Sequence, residues 1–185
     1  MPVTINGTSG LVTATTFSGS SLSGIDTGKI LQVVTAELST QASVSSTTHS
    51  DLGVTASITP TSSSSKILVE YNLNMYIYRS GSGMYEANGS IQVLRGSTVI
   101  LTPYDYGSSN GFGDYFMSSG EGGVELGTFL RFRHGYKLID SPNTTSSTTY
   151  KLQGAIGWGG YLYLNKTDNT SETPKSNIIL TEVAA

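Results

Sequence analysis

The sequence predicts an all-β domain, a sandwich or barrel, on three observations. From Ile67 onward it alternates strictly: Ile67, Val69, Tyr71, Leu73, Met75 and Ile77 are apolar, with Glu70, Asn72, Asn74, Tyr76 and Tyr78 between them. Period two over so long a stretch marks a strand with one face in a core. Eight or nine β-prone segments recur between Gly-, Ser- and Thr-rich turns, and none has helical periodicity. Strands in that number must bury their apolar faces against one another, as a sandwich or a barrel does.

Residues 1–28, MPVTINGTSGLVTATTFSGSSLSGIDTG, contain short β-prone pieces cut by Gly and Ser. Ordering each residue costs about 1–2 kcal/mol of backbone entropy, and this segment has too few large apolar groups to close a core alone. Val3, Ile5, Leu11, Val12, Phe17 and Leu22 are nevertheless too apolar for a solvated tail. The segment therefore reads as an arm that docks onto something else, adding strands to an exposed sheet edge or running along a particle surface.

Residues 29–185 read as the folded domain. KILQVVTAELS is apolar at Ile30, Leu31, Val33 and Val34, which predicts a strand covered on two sides. TQASVSSTTHSD is a polar loop, and Leu52, Val54, Ala56 and Ile58 alternate in the next strand. Pro60 and the run Ser62–Ser65 end it, since proline cannot donate to a ladder and serine competes for backbone bonds. The long strand stops at RSGSG, and RGST reads as a hairpin turn between IQVL and VIL. Residues 102–123 form a long loop rich in Gly and aromatics. Beyond it, Val124, Leu126, Leu130, Phe132, Tyr136 and Leu138 share one strand face, with Arg131, Arg133 and Lys137 on the other. PNTTSSTT, YKLQGAI, YLYLN and SNIILTEV complete the series.

Composition bounds the chemistry. Of 185 residues 12% are charged, 22 are Gly and none is Cys, so neither a disulfide nor a thiolate zinc site is available. A net charge of −3 makes no electrostatic case for nucleic acid or an anionic membrane as partner. No apolar run approaches the ~20 residues of a spanning helix, and MPVTINGTSG lacks the basic and apolar regions of a secretory signal. Nothing points to a cofactor, a resident metal or an enzyme. No GxSxG, HExxH, EF-hand or phosphate-binding glycine pattern occurs. His49 sits in a polar loop beside Asp51, while His134 falls on an apolar strand face and reads as a core or interface residue. Asp105, Asp114 and Glu121 are too irregularly spaced for a calcium loop. Sequons at Asn6, Asn88, Asn143, Asn165 and Asn169 are what so Ser/Thr-rich a chain produces by chance. The loop aromatics Tyr104, Tyr106, Phe112, Tyr115 and Phe116 either seal one end of the domain or offer a platform to a sugar or a protein.

The arm MPVTINGTSGLVTATTFSGSSL and the phrases GKILQVV, VTASITPTSSSSKILVEYNLNM, IQVLRGSTVI and NIILTEVAA resemble small virion proteins of tailed bacteriophages, especially marine and cyanobacterial ones. These are capsid-decorating proteins, head fibres or tail-fibre modules. The resemblance implies a homotrimer of jelly rolls laid out like the tumour-necrosis-factor fold, on the virion exterior, anchored to capsid or tail proteins through the N-terminal arm. A host cell-surface glycan is a further partner it implies for a fibre tip. The residues agree in one respect: a monomer would leave Tyr76, Tyr78 and Phe129 in water, whereas a threefold interface would bury them. Arg131 and Arg133 would then form an intersubunit row beside them.

Overall fold

Alternation dominates the strands of this protein. The computed structural model describes residues 28–79, 89–101, 105–106, 109–110, 128–156, 160–167, 171 and 174–184, with side chains except at 79, 105–106, 109–110 and 128–130. Twelve strands occur among them: β1 (Ile30–Leu38), β2 (Ala42–Val44), β3 (Ser50–Ile58), β4 (Lys66–Arg79), β5 (Gly89–Arg95), β6 (Thr98–Leu101), β7 (Asp105–Tyr106), β8 (Ser109–Asn110), β9 (Thr128–Asp140), β10 (Thr148–Ile156), β11 (Tyr161–Leu164) and β12 (Ser176–Val183). No helix occurs among the described residues.

Two antiparallel sheets make a β-sandwich. The spine of the first is β4, whose 14 residues were legible from their alternation. Along one side it pairs with β9 from Ile67↔Asp140 to Arg79↔Thr128. Along the other side two strands lie end to end: β12 against Lys66–Asn72 and β11 against Met75–Tyr78. Outside these, β1 pairs with β12 and β2 with β11. The second sheet runs β3-β10-β5-β6, and β7 pairs only with β8.

The inward residues of β4, from Ile67 to Ile77, are all buried, against Leu52, Val54 and Ile58 of β3 and Tyr150, Leu152 and Ile156 of β10. Each such side chain contributes about 1.5–3 kcal/mol on leaving water, so this layer holds the sheets together. Turn chemistry follows the residue types. The serine run closes on itself, with Ser65 N donating to Ser62 O at 3.2 Å and Ser64 N to Ser62 Oγ at 3.2 Å. Gly96 has φ 58° in the two-residue turn between Arg95 and Thr98, the left-handed value that a Gly-X hairpin needs.

Two buried polar links span the core. Asp140 of β9 accepts two bonds from Arg95 Nη1 at 2.6 and 2.8 Å and one from the Tyr150 hydroxyl at 2.7 Å, joining the first sheet to β5 and β10 of the second. Burial, reinforced by that bond to Asp140, pushes the Tyr150 phenol far above its ordinary range. Glu182 of β12 accepts from Gln32 Nε2 at 2.6 Å and from the Thr61 amide and hydroxyl at 2.7 Å each.

The expectation for KILQVVTAELS needs correction. β1 is an edge strand, covered on one face only. Its register shifts between Ile30 and Gln32, so Gln32 turns inward to Glu182 while Ile30 and Val33 face outward at 61% and 54% exposure. The strand count also exceeds the eight or nine expected, because three- and two-residue strands such as β2, β7 and β8 carry no periodic signal. Residues 1–27, including Val3, Ile5, Leu11, Val12, Phe17 and Leu22, lie outside the described residues.

Candidate interaction face

The outward side of the first sheet is built from the even positions of β4 and their partners in register. Its rows can be followed strand by strand. At one end Val33, Thr181, Leu68 and Ile139 stand side by side across β1, β12, β4 and β9. Ile139 is 72% exposed, and Ile30, at the next outward position of β1, adds to an aliphatic patch on solvent. The following row is charged, with Lys137 Nζ 2.8 Å from Glu70.

At the far end stand four tyrosines, Tyr76 and Tyr78 of β4 opposite Tyr163 and Tyr161 of β11. Their ring centroids lie 5.8–6.5 Å apart, the spacing at which aromatic pairs attract. Lys166 Nζ stands 4.6 Å from the Tyr76 ring centre and 4.5 Å from that of Tyr163, and the Arg131 guanidinium carbon lies 5.0 Å from Tyr76. Such cation–π contacts are worth roughly 0.5–1 kcal/mol at exposed sites.

Between these ends lies a depression, at the junction where β12 leaves β4 and β11 begins. The junction has its own polar seam. Asn165, with φ 56°, gives its amide N to Asn74 O at 2.9 Å and its Nδ2 to Leu38 O at 2.8 Å. Ser176 Oγ donates to Asn165 Oδ1 at 2.8 Å and accepts from Asn74 N at 3.0 Å. Asn165 is buried, and its side chain is engaged in this seam rather than offered to a glycan. The depression encloses about 500 Å³ and is edged by Asn72, Asn74, Asn177, Arg133 and Lys175. A second hollow of about 240 Å³ adjoins it at Asn74 and Arg133 and reaches Arg131 and Lys166. Among the described residues neither is lined by a carboxylate, although Glu37 pairs with Lys175 at 2.7 Å.

The sequence-derived site residues distribute unevenly. Tyr76, Tyr78, Arg131 and Arg133 do share this face, and the register sets Phe129 opposite Tyr78. Tyr104, Phe112, Tyr115 and Phe116 lie outside the described residues, and Tyr106 is described only as part of the β7 backbone. Tyr161, Tyr163, Lys166 and the Asn cluster were not singled out from sequence. The period-two pattern of YLYLN held a signal for the two tyrosines; nothing local could have assigned the rest.

Both histidines lie within reach of a neighbouring hydroxyl. His134 faces inward on β9 within 3.2 Å of the Tyr71 hydroxyl, and burial, with Tyr136 adding to it, pushes the Tyr71 phenol up. His49 is less exposed than its loop suggested: its Nε2 lies 2.8 Å from Ser90 Oγ, and burial lowers its pKa. Ser90 is itself fully buried, so this pair presents no nucleophile to a substrate. Among the described residues no group of three His, Asp or Glu could hold a metal ion.

No protein-family model matches the chain, and no curated protein matches it. Among solved structures it is similar to a chain in the structure of infectious bursal disease virus, Gx strain, at 10% identity and a TM-score of 0.31. That alignment covers 83% of this chain and 41% of the viral one, so this chain spans less than half the length of the protein it matches. What fold and face define together is a two-sheet β-sandwich with one sheet surface that, among the described residues, grades from aliphatic to aromatic.

Proposed function

We propose that this chain is a structural protein on the exterior of a tailed-bacteriophage particle, a non-enzymatic decoration or cement protein that works as a homotrimer. The observation that carries this reading is the exposure of Ile30, Val33 and Ile139, with Leu68 half-buried in the same row, on the outward side of a sheet whose inner face is already packed. Contiguous exposed aliphatic groups on a soluble domain mark a partner surface. A second and third copy around a threefold axis would bury them, and we centre the contact there, with Tyr76, Tyr78, Phe129, Arg131 and Arg133 towards its far end. The strand orders β1-β12-β4-β9 and β3-β10-β5-β6 support reading the sandwich as a jelly roll of the tumour-necrosis-factor layout. The arm, residues 1–28, would anchor the trimer to capsid or tail proteins by pairing with an exposed strand edge.

Light scattering at micromolar concentration tests the assembly: a trimer is expected, and a monomer ends this reading. A chain shortened to begin at Gly28 should still form trimers yet fail to join virions. If it decorates particles as fully as the complete chain does, the anchoring role belongs to the sandwich. The second reading, a tail-fibre module that holds a host glycan, is favoured by the polar depression between the aliphatic row and the tyrosines.

A further inference from the structure

From the same face we infer a binding site for an acidic saccharide, a glycan bearing carboxylates, in the joined depressions between Asn72 and Lys166. The charge distribution comes first. The chain as a whole is acidic at −3, yet Arg131, Arg133, Lys166 and Lys175 meet around these hollows and, among the described residues, no carboxylate lines them. Arg133 makes no ion pair among the described residues, and guanidinium matches a carboxylate with two parallel N–H donors. Lys175 is paired with Glu37, so Arg133 is the principal anchor.

The remaining chemistry fits hydroxyl groups. Asn72 and Asn74 each offer a donor and an acceptor, the combination that vicinal sugar hydroxyls require. The Asn74 amide is held in place rather than free to rotate. Asn74 Nδ2 donates to the Lys175 carbonyl, and that bond does not use its Oδ1. Asn72 lies over Gly135, where a Cβ would come within 2.8 Å of its Oδ1. A preorganised amide loses little entropy on binding, which is how shallow sites gain affinity. At the far rim the Lys166 ammonium, held over the Tyr76 and Tyr163 rings, adds a further cation. The two adjoining hollows, about 500 and 240 Å³, leave room for a short oligosaccharide.

This site rests on the second reading, because Tyr76, Arg131 and Arg133 cannot hold a sugar while buried between subunits, and its test separates the two readings. The full-length protein is titrated calorimetrically with trigalacturonate, with maltotriose as the neutral sugar and with inorganic phosphate. Trigalacturonate should bind at least roughly tenfold more tightly than maltotriose, and Arg133→Gln should weaken it by roughly tenfold. Lys175→Gln should weaken it by less. Added salt at about 0.5 M should also reduce binding, as screening of exposed charges requires. Ile139→Asp, on the aliphatic row, should leave trigalacturonate binding intact whatever it does to assembly. Equal affinity for maltotriose, indifference to Arg133→Gln, or displacement by equimolar phosphate would each overturn the inference, the last by marking a general anion patch.

Discussion

Glu182→Gln is the substitution with the clearest expected signature. Glu182 is fully buried on the inward side of β12 and receives three bonds, from Gln32 and twice from Thr61. Burial alone would raise its pKa, but the bonds from Gln32 and Thr61 outweigh that and hold it at about 2, against 4.5 for the ordinary group. A carboxyl depressed in the folded state stabilises the fold above its unfolded pKa, and the benefit fades as pH falls from about 4.5 towards 2. Glutamine keeps the shape and one acceptor oxygen but turns an NH₂ towards donors. Hydrogen bonds to a charged group are worth about 1.5–3 kcal/mol each, so losing one and crowding another should cost about 2–4 kcal/mol at pH 7. For a chain of this size that lowers Tm by roughly 5–12 °C. Urea unfolding at fixed protein concentration, from pH 7 down to about pH 2.5, reads the difference from the native chain. The gap should be widest above pH 5 and shrink as the native carboxyl takes up its proton. A gap independent of pH, or one under about 0.5 kcal/mol at neutrality, refutes the assignment of Glu182 as an ionised latch.

Removing Arg95 should hurt more than removing the Tyr150 hydroxyl, because Arg95→Ala leaves Asp140 as a buried unpaired charge. About 3–5 kcal/mol is expected for Arg95→Ala and about 1–2 kcal/mol for Tyr150→Phe, read from urea midpoints. Gly135→Ala should displace Asn72, since the new Cβ would stand 2.8 Å from Asn72 Oδ1 and 3.0 Å from Tyr71 O. A destabilisation of about 1–3 kcal/mol is expected, with altered chemical shifts at Asn72 as the local readout. Ile139→Asp should abolish the proposed trimer in light scattering while leaving the far-ultraviolet dichroism unchanged, because Ile139 is 72% exposed within the subunit.

How far the sequence reaches is clearest from β4. Ile67 to Ile77 alternate because a pleated strand turns successive side chains to opposite faces, so its extent, its buried face and the serine turn before it were legible from local chemistry alone. The same holds for the β5–β6 hairpin, where Gly96 supplies the positive φ that the turn demands, and for the inward placement of His134. Edge position was not legible. Ile30, Leu31 and Val33 look like a strand covered twice, and only the pairing of β1 with a single neighbour, together with the register shift before Gln32, leaves them on solvent. The aliphatic row joins residues 33, 68, 139 and 181, and the depression joins residues 72, 133 and 175. Positions so far apart in the chain carry no shared local pattern. What places them together is the tertiary arrangement in which β12 and β11 abut along one side of β4 with β9 along the other. Period two assigns a side chain to a face of its own strand; strand order and register alone decide which neighbours that face acquires, and hence what it can bind.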